Sequence, residues 1–211
     1  MTNFIPIFPL GIVVYPGEDV NLHIFEPRYK ALINDINNGK KQFGIPAVIN
    51  NKVCEMGTLV QLKEITKVYD NGEMDIKTSG IKVFKILEMI KTVPDKLYSG
   101  AIVHYPANKE NGNGLLTKKV LAAIRQLHEI INVSKDFKKP DEQLCSYDIA
   151  HHAGMSLQQE YELLELLQEV QRIEYLKRHL VKVLPVVTEM ETLKSRIKLN
   201  GHFKNLGGFN I

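Results

Sequence analysis

The hydrophobic pattern changes its period near residue 110, and this change constrains the fold more than any other feature of the 211-residue chain. Before that point apolar and polar residues alternate, for example over residues 60–63 and 74–78. Such alternation predicts β-strands. Asp70-Asn71-Gly72 and Asn50-Asn51 mark turns between strands, because Asn and Gly tolerate a positive φ. Residues 1–105 are therefore predicted to form a small, strongly bent antiparallel sheet or barrel.

One helix is predicted to interrupt these strands. Pro27 suits a first helical position, where its missing N–H costs nothing. The apolar residues that follow recur at helical spacing, and Asn38-Gly39 is a typical helix end. They are Tyr29, Leu32, Ile33 and Ile36.

Beyond a polar linker at residues 106–114 the pattern is helical. One apolar stripe predicts the first helix of this half: Leu116, Val120, Ala123, Ile124, Leu127 and Ile131. A loop is expected at residues 133–142, and then a short helix that Gly154 stops. Ser156 and Gln159 have the spacing of a capping box, which opens the next helix.

The last part of the chain is predicted to be a long apolar helix, either one rod or two helices broken near Gln168. Pro185 is expected to end it, and Thr188 with Glu191 to cap a final helix that reaches about Leu199. The predicted division is a barrel subdomain over residues 1–107, a helical bundle subdomain over 114–200 and a C-terminal tail over 201–211.

Composition excludes several classes of protein. The 27 Lys and Arg nearly balance the 24 Asp and Glu, and both signs are spread along the chain, which argues against a nucleic-acid partner. Cys54 and Cys145 form no disulfide framework, so a reducing compartment is expected. Prolines interrupt the apolar amino terminus and no long apolar run exists, which argues against a signal peptide and a membrane span. The expected location is the cytoplasm.

Two motifs near the amino terminus resemble the Lon protease amino-terminal domain family in its free-standing form. The first is the run of residues 4–17, and the second is Leu22-His23-Ile24-Phe25-Glu26-Pro27-Arg28-Tyr29. Similar segments follow: Phe43-Gly44-Ile45, Glu55-Met56-Gly57-Thr58, Gly80-Ile81-Lys82-Val83-Phe84, Ile149-Ala150, Leu163-Leu164-Glu165 and Arg172-Ile173-Glu174-Tyr175-Leu176. Val83 departs from the pattern, because the family usually has Arg there.

This resemblance implies an α+β fold, a PUA-like antiparallel β-barrel followed by a helical bundle. It also implies a non-catalytic, polypeptide-binding module, an adaptor or holdase for unfolded protein. The implied partners are unfolded or extended polypeptide, a separate protease or chaperone, and a second copy in a homo-oligomer. The sequence contains no phosphate-binding loop and no peptidase motif, so neither ATPase nor peptidase activity is expected.

Phe25, Glu26, Arg28 and Tyr29 are the candidate protein-binding residues, because charges here interrupt an apolar motif. The alternative, which the residues favour, is structural. Glu26 then helps to cap the helix, Arg28 pairs with a nearby carboxylate or carbonyl, and Phe25 and Tyr29 are core residues.

No catalytic, cofactor or metal site is predicted. Cys145, His151 and His152 lie close in sequence, but adjacent histidines on a helix point about 100° apart. Residues 148–156 have the spacing of a helix-turn-helix, yet acidic residues crowd the would-be recognition helix and would repel phosphate. RNA binding through the barrel and an enzyme with an unrecognised site remain as alternatives, without a positive feature for either.

Overall fold

The computed structural model describes residues 2–109 and 114–204. Within them lie six strands: β1 (Thr2–Pro6), β2 (Asp19–Ile24), β3 (Gln42–Ile49), β4 (Lys52–Val68), β5 (Met74–Ile90) and β6 (Gly100–His104). The five α-helices are α1 (Pro27–Asn37), α2 (Gly114–Ile130), α3 (Ser146–Ile149), α4 (Leu157–Glu165) and α5 (Glu169–Lys204). The predicted α+β class is confirmed, with the six strands and α1 before the linker and the other helices after it.

The strands form one antiparallel sheet in the order β1-β6-β5-β4-β3, and β2 pairs with the first part of β5. β4 and β5 are each 17 residues long. Irregularities in their register bend both strands, so each takes part in two regions of the sheet. Single parallel bridges, Ile7 to Gly44 and Leu10 to Ala47, bring the segment after β1 against β3. The sheet therefore curls into the predicted barrel.

Both predicted hairpin turns are confirmed. Asn50 and Asn51 have φ of 50° and 61°, the left-handed conformation that a tight two-residue hairpin turn requires. Gly72 has φ of 76°, and the Asn71 side chain accepts a hydrogen bond from the Glu73 N–H at 3.1 Å. The first turn links β3 to β4, and the second links β4 to β5.

The long carboxyl-terminal helix was predicted only in part. α4 ends at Glu165 and α5 begins at Glu169, so the break near Gln168 is confirmed, as is the Ser156 capping box. The predicted stop at Pro185 is wrong, because α5 continues through it to Lys204. The Thr188 hydroxyl donates to the Leu184 carbonyl inside the helix at 2.8 Å and caps nothing.

Packing explains why Pro185 does not end α5. Val183, Leu184 and Val187 beside it are partly buried against the core, and this packing offsets the hydrogen bond that proline removes. The first residues of the predicted tail are consequently helical. Residues 205–211 of that tail, and 110–113 of the linker, lie outside the described residues.

The two halves of the chain share a hydrophobic core. From the barrel come Val13, Tyr15, Ala47, Met56 and Val83; from the helices come Ile124, Tyr147, Leu164, Ile173 and Leu176, among others. The Tyr15 hydroxyl donates to the Glu160 carbonyl at 2.9 Å, and the Met56 N–H donates to the Tyr161 hydroxyl at 3.2 Å. Val83, the departure from the family pattern, is only 1% exposed, so it brings no charge into this core.

A buried arginine ties the helices to the end of the barrel. Arg172 on α5 is fully buried, and its guanidinium lies 4.2 Å from the centroid of the Tyr147 ring. The guanidinium donates to oxygens of Glu169, Ser146, Asn108, Leu166 and Lys109. Lys109 also exchanges two backbone hydrogen bonds with the α4–α5 junction, at 2.8 and 2.9 Å. The start of the predicted linker is therefore fixed to the helices.

The division near residues 108–114 is a prediction that limited proteolysis can check. Asn108 and Lys109 are bonded to the helices, so we expect the first cut in the rest of this polar, Asn- and Gly-rich segment. The two fragments should nevertheless elute together from a sizing column, since they share a core. First cuts within residues 22–29 or 161–180 would place the boundary elsewhere.

Replacing Arg172 should destabilise the whole fold. Arg172→Met leaves the Glu169 carboxylate buried without its cationic partner, which costs about 3–5 kcal/mol. The double variant Glu169→Gln, Arg172→Met should recover part of this loss, because it buries no net charge. Urea unfolding measures both effects. If the Arg172→Met variant is as stable as the parent, the buried ion pair with Glu169 does not stabilise the fold.

Candidate functional site

Phe25 lies on the surface, and the prediction that it is a core residue is wrong. Its side chain is 58% exposed, whereas Tyr29 is 6% exposed and belongs to the core as predicted. Strand alternation explains the difference, since Ile24 at the end of β2 points inward and is 1% exposed. Phe25 therefore shares the outer face with His23.

Glu26 and Arg28 pair with each other beside this exposed ring. Glu26 is the N-cap residue of α1, but its side chain makes no cap hydrogen bond, so its predicted capping role is wrong. Its carboxylate instead accepts hydrogen bonds from Arg28 at 2.8 and 2.7 Å. The Arg28 guanidinium lies 4.5 Å from the Tyr29 ring centroid, and Tyr29 packs against Phe8 inside the barrel.

Two rings that the sequence did not assign to the site continue from Phe25, since His23 adjoins Phe25 and Tyr69 adjoins His23. The His23 ring lies 6.2 Å from that of Phe25 and 5.7 Å from that of Tyr69. The Asp75 carboxylate accepts from Tyr69 at 2.8 Å and contacts His23 Nδ1 at 2.7 Å, and these contacts lower the pKa of Asp75. His23, Phe25 and Tyr69 form what we term the aromatic patch. No local sequence pattern indicates the aromatic patch, because it depends on the β2–β5 register that places His23 opposite Asp75.

β2 leaves one edge unpaired. Within residues 2–109 and 114–204 it pairs with β5 alone. The chain enters β2 through a tight turn at Pro16-Gly17, where Gly17 has φ of 82° and the Glu18 N–H donates to the Tyr15 carbonyl. An unpaired strand edge presents backbone N–H and C=O groups that another strand can bind.

A groove opens between β2, the segment that precedes its turn, and α4. Its cavity measures about 450 Å³, and we term it the seam groove. Apolar side chains and a glycine form most of its wall: Gly11, Ile12, Val13, Val20 and Leu157. Glu18, His151 and Glu160 complete the wall. Val20 belongs to β2, so the groove adjoins the strand whose second edge is unpaired.

His151 links the two sides of the seam groove. Its Nδ1 lies 2.8 Å from the Glu160 carboxylate on α4, and its Nε2 lies 3.2 Å from the Glu18 carboxylate on the barrel side. Burial disfavours the charged imidazole, but the two glutamates outweigh burial and raise the pKa of His151 to about 9. At neutral pH the ring is therefore cationic and holds α4 to the turn before β2.

His151 does not join Cys145 and His152 in a metal site. His152 packs against His128 and Phe137, and the Cys145 thiol donates to Asp148 at 3.1 Å. Across the described part of the chain, no three His, Cys, Asp or Glu side chains could together hold a metal ion. No helix among the described residues is long and apolar enough to span a membrane.

Solved structures share this arrangement of barrel and helices. The Lon N-terminal domain protein from Xanthomonas campestris is 22% identical, with a TM-score of 0.64 over 83% of this chain and 98% of that chain. The N-terminal domain of Mycobacterium avium complex Lon protease is 15% identical, with a TM-score of 0.62 over 85% of this chain and 98% of that chain. At these sequence identities the comparison shows a shared fold alone.

A family model extends the likeness to the sequence. The ATP-dependent protease La (LON) substrate-binding domain matches residues 5–182, which include β2, the aromatic patch, the seam groove and Arg172. The matched span covers most of the chain. The chain therefore belongs to the family of the ATP-dependent protease La (LON) substrate-binding domain.

Proposed function

We propose that the chain binds extended, apolar segments of unfolded polypeptide and performs no chemistry on them. The observation that carries this proposal is the unpaired edge of β2 beside the apolar seam groove. Membership of a substrate-binding family supports it. In the cytoplasm such a module would serve as an adaptor for a separate protease or chaperone, or as a holdase.

The proposed mode of binding is addition of a strand to β2. Backbone hydrogen bonds to a strand edge are independent of the ligand's sequence, which suits a protein with many clients. Alternate side chains of the added strand would enter the seam groove and contact Ile12, Val20 and Leu157. β2 has six residues, so it can pair with a segment about 20 Å long.

The aromatic patch extends this surface beyond the end of β2. Phe25 directly follows Ile24, and its exposed ring offers apolar contact area at low conformational cost. The cation of His151 offsets one of the two negative charges that Glu18 and Glu160 bring to the groove, and one negative charge remains. The surface is therefore suited to apolar segments, and acidic ones are disfavoured.

A charge placed in the seam groove should weaken client binding. Ile12→Glu changes a side chain that is 38% exposed, so folding should be preserved. Its affinity for fluorescein-labelled, carboxymethylated lactalbumin should fall at least about tenfold, roughly 1.4 kcal/mol, in an anisotropy titration. Ile81→Glu is the matched control, because Ile81 is 39% exposed and lies outside the groove. If both variants bind like the parent, the groove is not the site.

Alanine substitutions of Phe25 and Tyr29 should separate an effect on client binding from an effect on stability. Phe25→Ala should change the free energy of unfolding by no more than about 0.5 kcal/mol, because the ring is exposed, yet weaken client binding. Tyr29→Ala should cost about 3–5 kcal/mol, because it empties a site in the barrel core. Thermal melts and the same titration measure both. A Phe25→Ala variant that melts normally and binds normally would remove the aromatic patch from the proposed surface.

A further inference from the structure

The charged side chains of the seam groove do not balance one another. Among the described residues, Glu18, Glu160 and His151 are the only charged side chains in its wall. They are 30%, 17% and 33% exposed, so each is partly withdrawn from water. With one cationic ring between two carboxylates, the groove keeps one net negative charge.

The His151 ring cannot satisfy both carboxylates. An imidazolium has two N–H groups, and here one donates to Glu160 Oε1 and the other to Glu18 Oε2. The Tyr15 N–H donates to the same Glu18 oxygen at 2.9 Å. Glu18 Oε1 and Glu160 Oε2 accept no hydrogen bond from residues 2–109 or 114–204. Two carboxylate oxygens at the groove are therefore open to a donor from a ligand.

Neighbouring charges do not supply the missing cation. A second cavity, of about 330 Å³, shares two lining residues with the seam groove. Lys138 in its wall is ion-paired with Asp19 at 3.3 Å, and Lys139 with Asp148 at 2.7 Å. Asp136, also in this wall, has no ion-pair partner within the described part of the chain. The surroundings therefore add to the negative charge of the groove.

We propose that the seam groove selects apolar client segments flanked by a basic side chain, Arg or Lys, which pairs with Glu18 and Glu160. This preference rests on the proposed function and names the class of segment that the same site binds best. A guanidinium or ammonium group only donates hydrogen bonds, so it matches the open oxygens and offsets the remaining negative charge. An acidic flank would add a second negative charge without a partner.

The place of Glu18 in the chain puts the basic residue at the end of the bound segment. Glu18 directly precedes β2, and Val20 of β2 belongs to the groove wall. A segment that adds to β2 therefore has apolar side chains beside Val20 and its flanking residue beside Glu18. The added strand can run in either direction along β2, so the basic residue lies before or after the apolar stretch.

Peptide binding to the full chain measures this preference. Three fluorescein-labelled peptides share six apolar residues, as many as β2 contains, and carry Arg, Gln or Glu at both ends. In anisotropy titrations the Arg peptide should bind at least about fivefold tighter than the Gln peptide, and the Glu peptide more weakly than either. The chain has a net charge of +3, so its overall field opposes this order and a preference for Arg must arise locally.

Replacing both carboxylates should remove the preference. The variant Glu18→Gln, Glu160→Gln should bind the Arg and Gln peptides equally. The matched control Glu55→Gln, Glu64→Gln removes two exposed carboxylates that are also ion-paired but lie on β4, outside the groove, and it should keep the parental ratio of the two affinities. His151→Gln removes the cation and should raise this ratio by at least about threefold.

The Gln peptide separates the preference from binding itself. If none of the three peptides binds the parent, the proposed function fails and the preference fails with it. If all three bind equally, or if the variant without both carboxylates keeps the parental ratio, the preference is overturned while client binding stands. Should that variant fail to fold, as a thermal melt would show, His151→Gln decides, and an unchanged ratio overturns the preference.

Discussion

The burial of Arg172 is the constraint on which the arrangement of barrel and helices depends. A guanidinium cannot be neutralised, so taking it out of water is tolerable only when its N–H groups are satisfied. Its acceptors come from the end of the barrel half, from the start of α3, from the α4–α5 junction and from α5 itself. Each of these segments must therefore be in place before the others gain their full stability.

This constraint positions the seam groove. With α5 and the α4–α5 junction fixed to the end of the barrel, α4 lies against the turn that precedes β2, where Tyr15 and Glu18 contact Glu160 and His151. The groove is the space that remains where this packing is incomplete. It forms beside a strand whose second edge has no partner in the described chain, so apolar contacts and backbone hydrogen bonds are available to one ligand at one place.

The aromatic patch lies on the sheet, at the end of β2. The contacts of His23 and Tyr69 with Asp75 hold these two rings in place.

The sequence by itself determined the features that depend on neighbours in the chain. Alternation predicted the strands, Asn50-Asn51 and Gly72 the hairpins, and helical spacing the buried face of α1, while the run at residues 22–29 indicated the family. Tertiary structure alone decided that Phe25 faces solvent, that α5 continues through Pro185, that Arg172 is buried and that a groove opens beside β2. These outcomes depend on contacts between residues far apart in sequence, such as Tyr15 and Glu160, which are 145 positions apart. Local periodicity carries no information about which distant side chain fills a site, satisfies a charge or leaves an edge free.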